Sequence, residues 1–365
     1  MSPLLFSIFI NDLGRRLNST TLGLSLIGTR IASIFFADDM VLLGKNRKAL
    51  DKLMNMTREY FTHHKLDISE QKSKIMSFDA ATNQCTFQGN QPHSITLQQI
   101  VSFKYLGIPI SCKPYCMFKD YNEQVKNRAR KYLASVISLV KSGPDQSDLA
   151  YALWTSCAVP SILYGAEVIP LTQGTIKEIE TCQSKVGKFI LQTPNSTADV
   201  SANIDAGLKP IWSIIAEKVL TYASKTLKQP ESFWPRRALS LNISMGYNSP
   251  YTRNLIHWKT KVDTTLLSIP KIKKATNRAA ILSILKQCET LPTVFAMSTP
   301  SSTSKHCWFK KKQWVSDSSI SKILCLFRAC NASLGNRGPT KDGQFFKNCP
   351  LCSKAGVETK NNEAV

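Results

Sequence analysis

Residues 31–43 read Ile31-Ala32-Ser33-Ile34-Phe35-Phe36-Ala37-Asp38-Asp39-Met40-Val41-Leu42-Leu43. Two apolar runs, Ile31 to Phe36 and Met40 to Leu43, flank Ala37-Asp38-Asp39, a pattern that predicts a tight β-hairpin with two acids at its tip. Unit charges about 4 Å apart repel by roughly 4 kcal/mol at an effective dielectric near 20, and apolar flanks raise that cost. A divalent cation removes it. Mg²⁺ favours carboxylate oxygens together with substrate phosphates, and paired metal ions hold the attacking and leaving oxygens of an in-line phosphoryl displacement. The other reading of the same residues is a solvent-exposed Asp-Asp turn.

Working outward, Ser2-Pro3 is a helix start, with a hydroxyl cap followed by proline at the first helical position. Leu4, Leu5, Ile8, Phe9 and Leu13 make that helix apolar over most of its circumference, so it should be covered on several sides. The sequence therefore reads as if it begins inside a domain. Downstream, Leu50, Leu53, Met54, Thr57 and Phe61 give one apolar face to a helix from about Arg47 to His64, and a short strand follows near Lys74 to Phe78. A second hairpin is expected across Val101 to Ile110, where Gly107 and Pro109 mark irregular backbone. Strands and helices interleave, so residues 1–115 read as an α+β unit.

From residue 116 the helical period takes over. Phe118, Tyr121, Val125, Ala129, Tyr132, Val136 and Val140 keep a 3-4 spacing over one long helix. Lys119, Lys126 and Arg130 fall in one sector about 40° wide, a row able to follow a phosphate backbone or simply to face water. Further helices are expected at 146–158, 161–169, 175–192 and 211–228, then near 275–288 and 318–332, with a Ser/Thr/Pro-rich run from Ser298 to Ser304. Gln229 to Pro235 is a boundary candidate. The layout is thus 1–115, a helical 116–230, a basic and partly helical 231–345, and a short end at 346–365.

The chain has 47 Lys and Arg against 25 Asp and Glu, a net charge of +22, and residues 231–365 hold 21 of those cations with only 7 of the acids. Such an excess suits a polyanionic partner; solubility alone is the plainer reading. Within that third, Lys305-His306-Cys307-Trp308-Phe309-Lys310-Lys311-Lys312-Gln313-Trp314 interleaves cations and aromatics, which suits phosphate contact with base stacking or a basic loop anchored by two tryptophans. Eleven cysteines, an odd number without a regular framework, fit a reducing compartment. No apolar run approaches the roughly 18 residues of a membrane span, and the apolar start lacks the basic flank and cleavage site of a secretory signal. An intracellular protein is expected, in the nucleus or the cytoplasm.

Ser2-Pro3-Leu4-Leu5-Phe6, Phe36-Ala37-Asp38-Asp39, Lys72-Ser73-Lys74 and Phe103-Lys104-Tyr105-Leu106-Gly107 resemble, in order and spacing, successive palm motifs of reverse transcriptases, those of non-LTR, LINE-type retrotransposons above all. The resemblance covers residues 1 to about 110 and continues more loosely through Pro160 to Gly165 and Gly207-Leu208-Lys209-Pro210. It implies a partial palm followed by a helical thumb. By it, Asp38 would bind catalytic Mg²⁺ and Asp39 would support the same turn. Ser2, Pro3, Phe36 and Ala37 would lie on the substrate side, and Lys72 near the departing pyrophosphate. Phe103 to Gly107 would form a primer grip. Lys119, Lys126 and Arg130 would follow the duplex along the thumb, with Lys310, Lys311 and Lys312 as further nucleic-acid contacts. Lys72 also reads as a surface lysine, and Tyr105 and Leu106 as packing residues.

The resemblance implies an RNA template, a DNA primer or target and deoxynucleoside triphosphates as partners, and two Mg²⁺ ions as cofactors. In the family another metal-binding aspartate lies upstream of the Ser-Pro helix, and this sequence shows none. Because two in-line metals draw carboxylates from more than one strand, little polymerisation is expected from this chain alone. A non-catalytic RNA- or DNA-binding remnant is the competing expectation. At the other end, Cys349-Pro350-Leu351-Cys352 has the spacing of half a zinc site, and no His or Cys follows it. Zn²⁺ is therefore expected only in an extended chain.

Overall fold

A computed structural model describes residues 3–26, 28–78, 97–140, 146–263 and 269–289, and the structural statements below concern these. Ser2, Lys310, Lys311, Lys312, Cys349 and Cys352, with the expected helix at 318–332, lie outside them. The chain divides into two compact units, one of Met1–Met117 with Gln229–Ser244, the other of Phe118–Lys228 with Met245 onward.

The first unit opens with helix α1 (Pro3–Asn18), then a small hairpin of β1 (Leu24–Leu26) and β2 (Thr29–Ile31). Next come β3 (Ser33–Phe36) and β4 (Asp39–Leu42), antiparallel with Phe36 opposite Asp39, so the connecting loop is Ala37-Asp38 alone. Helix α2 (Arg47–His63) starts where the Asn46 side chain accepts from the Ala49 N–H, the capping expected of asparagine. Parallel β5 (Lys74–Ile75) and β6 (Gln98–Gln99) follow, then the hairpin of β7 (Ser102–Tyr105) and β8 (Ile108–Ser111). Each pair is its own two-stranded sheet. The core gathers Ile10, Leu13 and Leu17 of α1, Ala32, and Leu53 and Tyr60 of α2, with Phe35 and Met40 packed against it. Helix α1 is apolar beyond this buried face, and Leu4, Leu5 and Ile8 stand exposed on the far side.

The second unit is helical. Helix α3 (Pro114–Val140) runs into it and buries Tyr121, Val125, Ala129, Val136 and Val140 of the expected stripe. It is followed by α4 (Gln146–Leu153), a π-helical turn at Trp154–Ala158, α5 (Val159–Ile162), α6 (Gln173–Ile190), α7 (Asp199–Asp205) and α8 (Ile211–Leu227). Helix α9 (Trp234–Ser244) belongs to the first unit, and α10 (Pro250–Val262) and α11 (Ile269–Glu289) complete the second. The expected helix at 161–169 ends at Ile162 and gives way to turns, with Gly165 at φ 89°.

Some buried polar side chains of this unit tie separate segments together. Asn122 donates to the carbonyls of Phe118 and Pro170 and accepts from Thr172 N–H. Trp154 donates to Gln183, which in turn donates to the Lys209 carbonyl. Such links fix loop ends that apolar packing alone leaves free to slide. No helix among the described residues is long and apolar enough to cross a membrane.

Candidate functional site

The acid turn is positioned from beneath by α1. Asn18, the last residue of that helix, accepts from the Ala32 and Ser33 N–H groups at 2.7 and 3.0 Å and donates to the Ser33 carbonyl at 3.3 Å. Three hydrogen bonds from one side chain thus clamp the entry to β3. On the other strand, the Leu43 N–H donates to the Ala32 carbonyl, closing the hairpin's base. Sequence reasoning missed Asn18. A polar residue ending an apolar helix just before a strand was the available sign.

At the tip, Ala37 holds a left-handed φ of 50°, a conformation that costs an alanine about 1 kcal/mol or more. Ala37, Asp38 and Asp39 are exposed, and Phe36 is 59% exposed. Water therefore screens the two carboxylates, and the apolar flanks expected to aggravate their repulsion do not enclose them. A groove of about 320 Å³ runs against the turn at Ala37, lined along α1 by Ser7, Asn11, Arg15 and Asn18 and floored by Ile10, Gly14 and Phe35.

The second hairpin turns at Leu106-Gly107, both at positive φ, 48° and 80°, the signature of a type I′ turn. Its Tyr105 lies close enough to Asp39 for that carboxylate to help raise the phenol's pKa, after the larger effect of burial. The Tyr105 hydroxyl is inaccessible to water and has no hydrogen-bond partner among the described residues. Of the expected site residues across the two hairpins, only Asp39 and Tyr105 are linked by this electrostatic effect among the described residues, and the hairpins are separate sheets. Phe103 and Lys104 sit further back on β7, both exposed. Lys72 is exposed in the turn before β5, and no hydrogen bond or ion pair among the described residues joins it to the acid turn. Pro3 is the first residue of α1.

On α3, Lys126 lies 3.3 Å from Glu123, and Arg130 lies 2.9 Å from Glu178 of α6 and 4.0 Å from Glu123. Two members of the expected cationic row are thereby matched with acids, while Lys119 is exposed.

Metal fit follows from donor chemistry. Asp38 and Asp39 offer two exposed carboxylates on one turn, and Mg²⁺ is commonly held by one or two carboxylates plus substrate phosphates. The pair therefore suits one such ion. A second in-line ion needs a further carboxylate. Among the described residues no group of three or more His, Cys, Asp or Glu is placed to hold a metal.

A helix packed on an acid-tipped hairpin, followed along the chain by a second hairpin and then by helices, is consistent with a partial polymerase palm. Residues 1–110 match the family model described as reverse transcriptase (RNA-dependent DNA polymerase). Over 187 residues the chain is 24% identical to the Retrovirus-related Pol polyprotein from type-1 retrotransposable element R2 of Popillia japonica, covering 49% of this chain and 29% of that protein. The chain thus spans under a third of that relative's length. Residues 1–110 are thus similar to reverse transcriptases, and the α+β unit followed by helices is consistent with that similarity.

Proposed function

We propose that the first unit is a working part of the palm of an RNA-directed DNA polymerase, in which Asp38 holds Mg²⁺ with Asp39 in support. The observation that carries the reading is the acid-tipped hairpin of β3 and β4, packed on α1 and clamped at its entry by Asn18. The Asp39 carboxylate, 66 positions from Tyr105 in the chain, adds to the rise that burial causes in the Tyr105 pKa. A primer end held by Phe103 to Gly107 would then lie beside the acids. When bound, Mg²⁺ would supply charge stabilisation for the phosphoryl group in flight. The chain's own residues hold the ion, place the primer end and, at Lys72, offer a cation for leaving phosphate. The substrates proposed are an RNA template, a DNA primer or target and deoxynucleoside triphosphates. Their meeting place is inside the cell, in the nucleus or the cytoplasm.

The two acids make up one side of a two-metal site, so the 365-residue chain is expected to give no primer extension with Mg²⁺ by itself. Metal binding is tested separately, by Fe²⁺-directed hydroxyl-radical cleavage of the full chain with a heteroduplex and a nucleotide. Cleavage should fall within residues 33–42, be competed by Mg²⁺ and vanish in Asp38→Asn. Equal cleavage in wild type and variant would overturn the metal assignment. Primer extension that Asp38→Ala abolishes would keep the metal and overturn the incompleteness. Duplex binding with no cleavage at the turn favours the non-catalytic nucleic-acid-binding remnant instead.

A further inference from the structure

The sequence reading puts a phosphate-following row on α3, but there Lys126 and Arg130 already face Glu123 and Glu178. A cation that must leave a carboxylate to meet a phosphate releases less counterion and adds less to binding. Helix α11 is different. Lys271, Lys274 and Arg278 are exposed and fall within about 60° of one another, opposite the buried row Ile272, Thr276, Ala280 and Ile284. None of the three forms an ion pair among the described residues, whereas Lys273, off that row, lies 3.8 Å from Glu217 of α8. Helix α10 packs against both α8 and α11. Its Arg253 is exposed and also without an ion pair, opposite the buried Tyr251, Leu255, Trp258 and Val262.

The acids that might cancel this charge are few. Residues 250–289 hold eight Lys and Arg against Asp263 and Glu289, a net +6 out of the +14 of residues 231–365. The row from Lys271 to Arg278 rises about 10 Å along the helix, and the long flexible side chains at its ends extend that reach. Phosphates on one strand repeat at short intervals, so such a row can touch several of them without reading a base.

We infer that the outer face of α11, extended by Arg253 of α10, docks the phosphate backbone of a nucleic acid independently of its sequence. The inference does not need the acid turn and stands even if Asp38 binds no metal. It is tested by amine acetylation of the full chain, read by mass spectrometry, with and without a saturating RNA·DNA heteroduplex of about 20 base pairs. Lys271 and Lys274 should be protected about fivefold or more while Lys119 and Lys126 change little. The variant Lys271→Gln/Lys274→Gln/Arg278→Gln should keep its far-UV circular dichroism. Its slope of log affinity against log salt should become shallower by about 2 to 3.

Protection on α3 in place of α11, or a slope unchanged by the variant, would overturn the inference. So would protection by vesicles containing phosphatidylserine without protection by the heteroduplex, which would make the face a lipid-binding one.

Discussion

Ala37 shows at one residue how the acid turn is held. With a two-residue loop and a φ of 50°, the position favours glycine, yet alanine occupies it. Glycine would relieve roughly 1–2 kcal/mol of steric cost and give back about 0.5–1 through its freer unfolded chain. Ala37→Gly is therefore expected to stabilise the hairpin by up to about 1 kcal/mol, and Ala37→Val to destabilise it by at least as much. Hydrogen exchange of the β4 amides, slower in the glycine variant and faster in the valine one, checks both.

Asn18 is a second such residue. Asn18→Ala leaves the Ala32 and Ser33 N–H groups without their acceptor, a loss of about 2 kcal/mol or more, or roughly 30-fold faster exchange at those amides. Asn18→Asp keeps an acceptor and should restore most of the protection. Equal exchange in all three proteins would show that the clamp does not hold the turn. The acid-tipped hairpin was legible in the sequence because two short apolar runs flank Ala37-Asp38-Asp39. The clamp was not, because a lone asparagine announces nothing until its partners are known.

Among elements, legibility followed the length of the apolar period. Helices α1, α2, α3, α6 and α8 repeat their stripe over four or more turns, and each was expected within a few residues of where it lies. Helix α10 was missed although Ser249-Pro250 repeats the start signal of Ser2-Pro3, with the Ser249 hydroxyl accepting from the Thr252 N–H. Its stripe of Tyr251, Leu255, Trp258 and Val262 is diluted by polar neighbours. Helix α7 and the β1–β2 hairpin are too short to show a period at all, and the shorter of Arg130's two ion pairs depends on Glu178, 48 residues away.

One prediction belongs to the packing of α6, α8 and α10. Burial raises the pKa of Glu180 on α6, against the Trp212 backbone N–H and the Lys261 ammonium, which favour its charged form. Lys261 itself lies 4.3 Å from the ring centre of Trp212 and 5.4 Å from that of Trp258. Because the folded chain keeps the Glu180 proton to higher pH than the unfolded one, this stabilisation is full below the unfolded value of 4.5 and is lost as pH rises through the folded value. Glu180→Gln imitates the protonated form. Its melting temperature should match wild type near about pH 4 and exceed it increasingly towards about pH 8. A gap that stays constant or reverses across that range would show that Lys261 compensates the charge fully.

At the scale of the whole molecule, the acid turn lies in the first unit, and the exposed α11 cations that form no ion pair among the described residues lie in the second. The proposed metal binding and the inferred phosphate docking thus rest on different residues. With a net charge of +22, binding of the full chain to a heteroduplex should be dominated by counterion release. For about six phosphate contacts, affinity is expected to fall roughly a thousandfold between about 50 and 200 mM salt. Asp38→Ala should leave that slope unaltered, because a lost carboxylate removes no phosphate contact. Fluorescence anisotropy across the salt range measures both. Salt-insensitive binding would mean that contacts other than phosphates hold the duplex, and a steepened or flattened slope in Asp38→Ala would mean that the acid turn lies within the binding track itself.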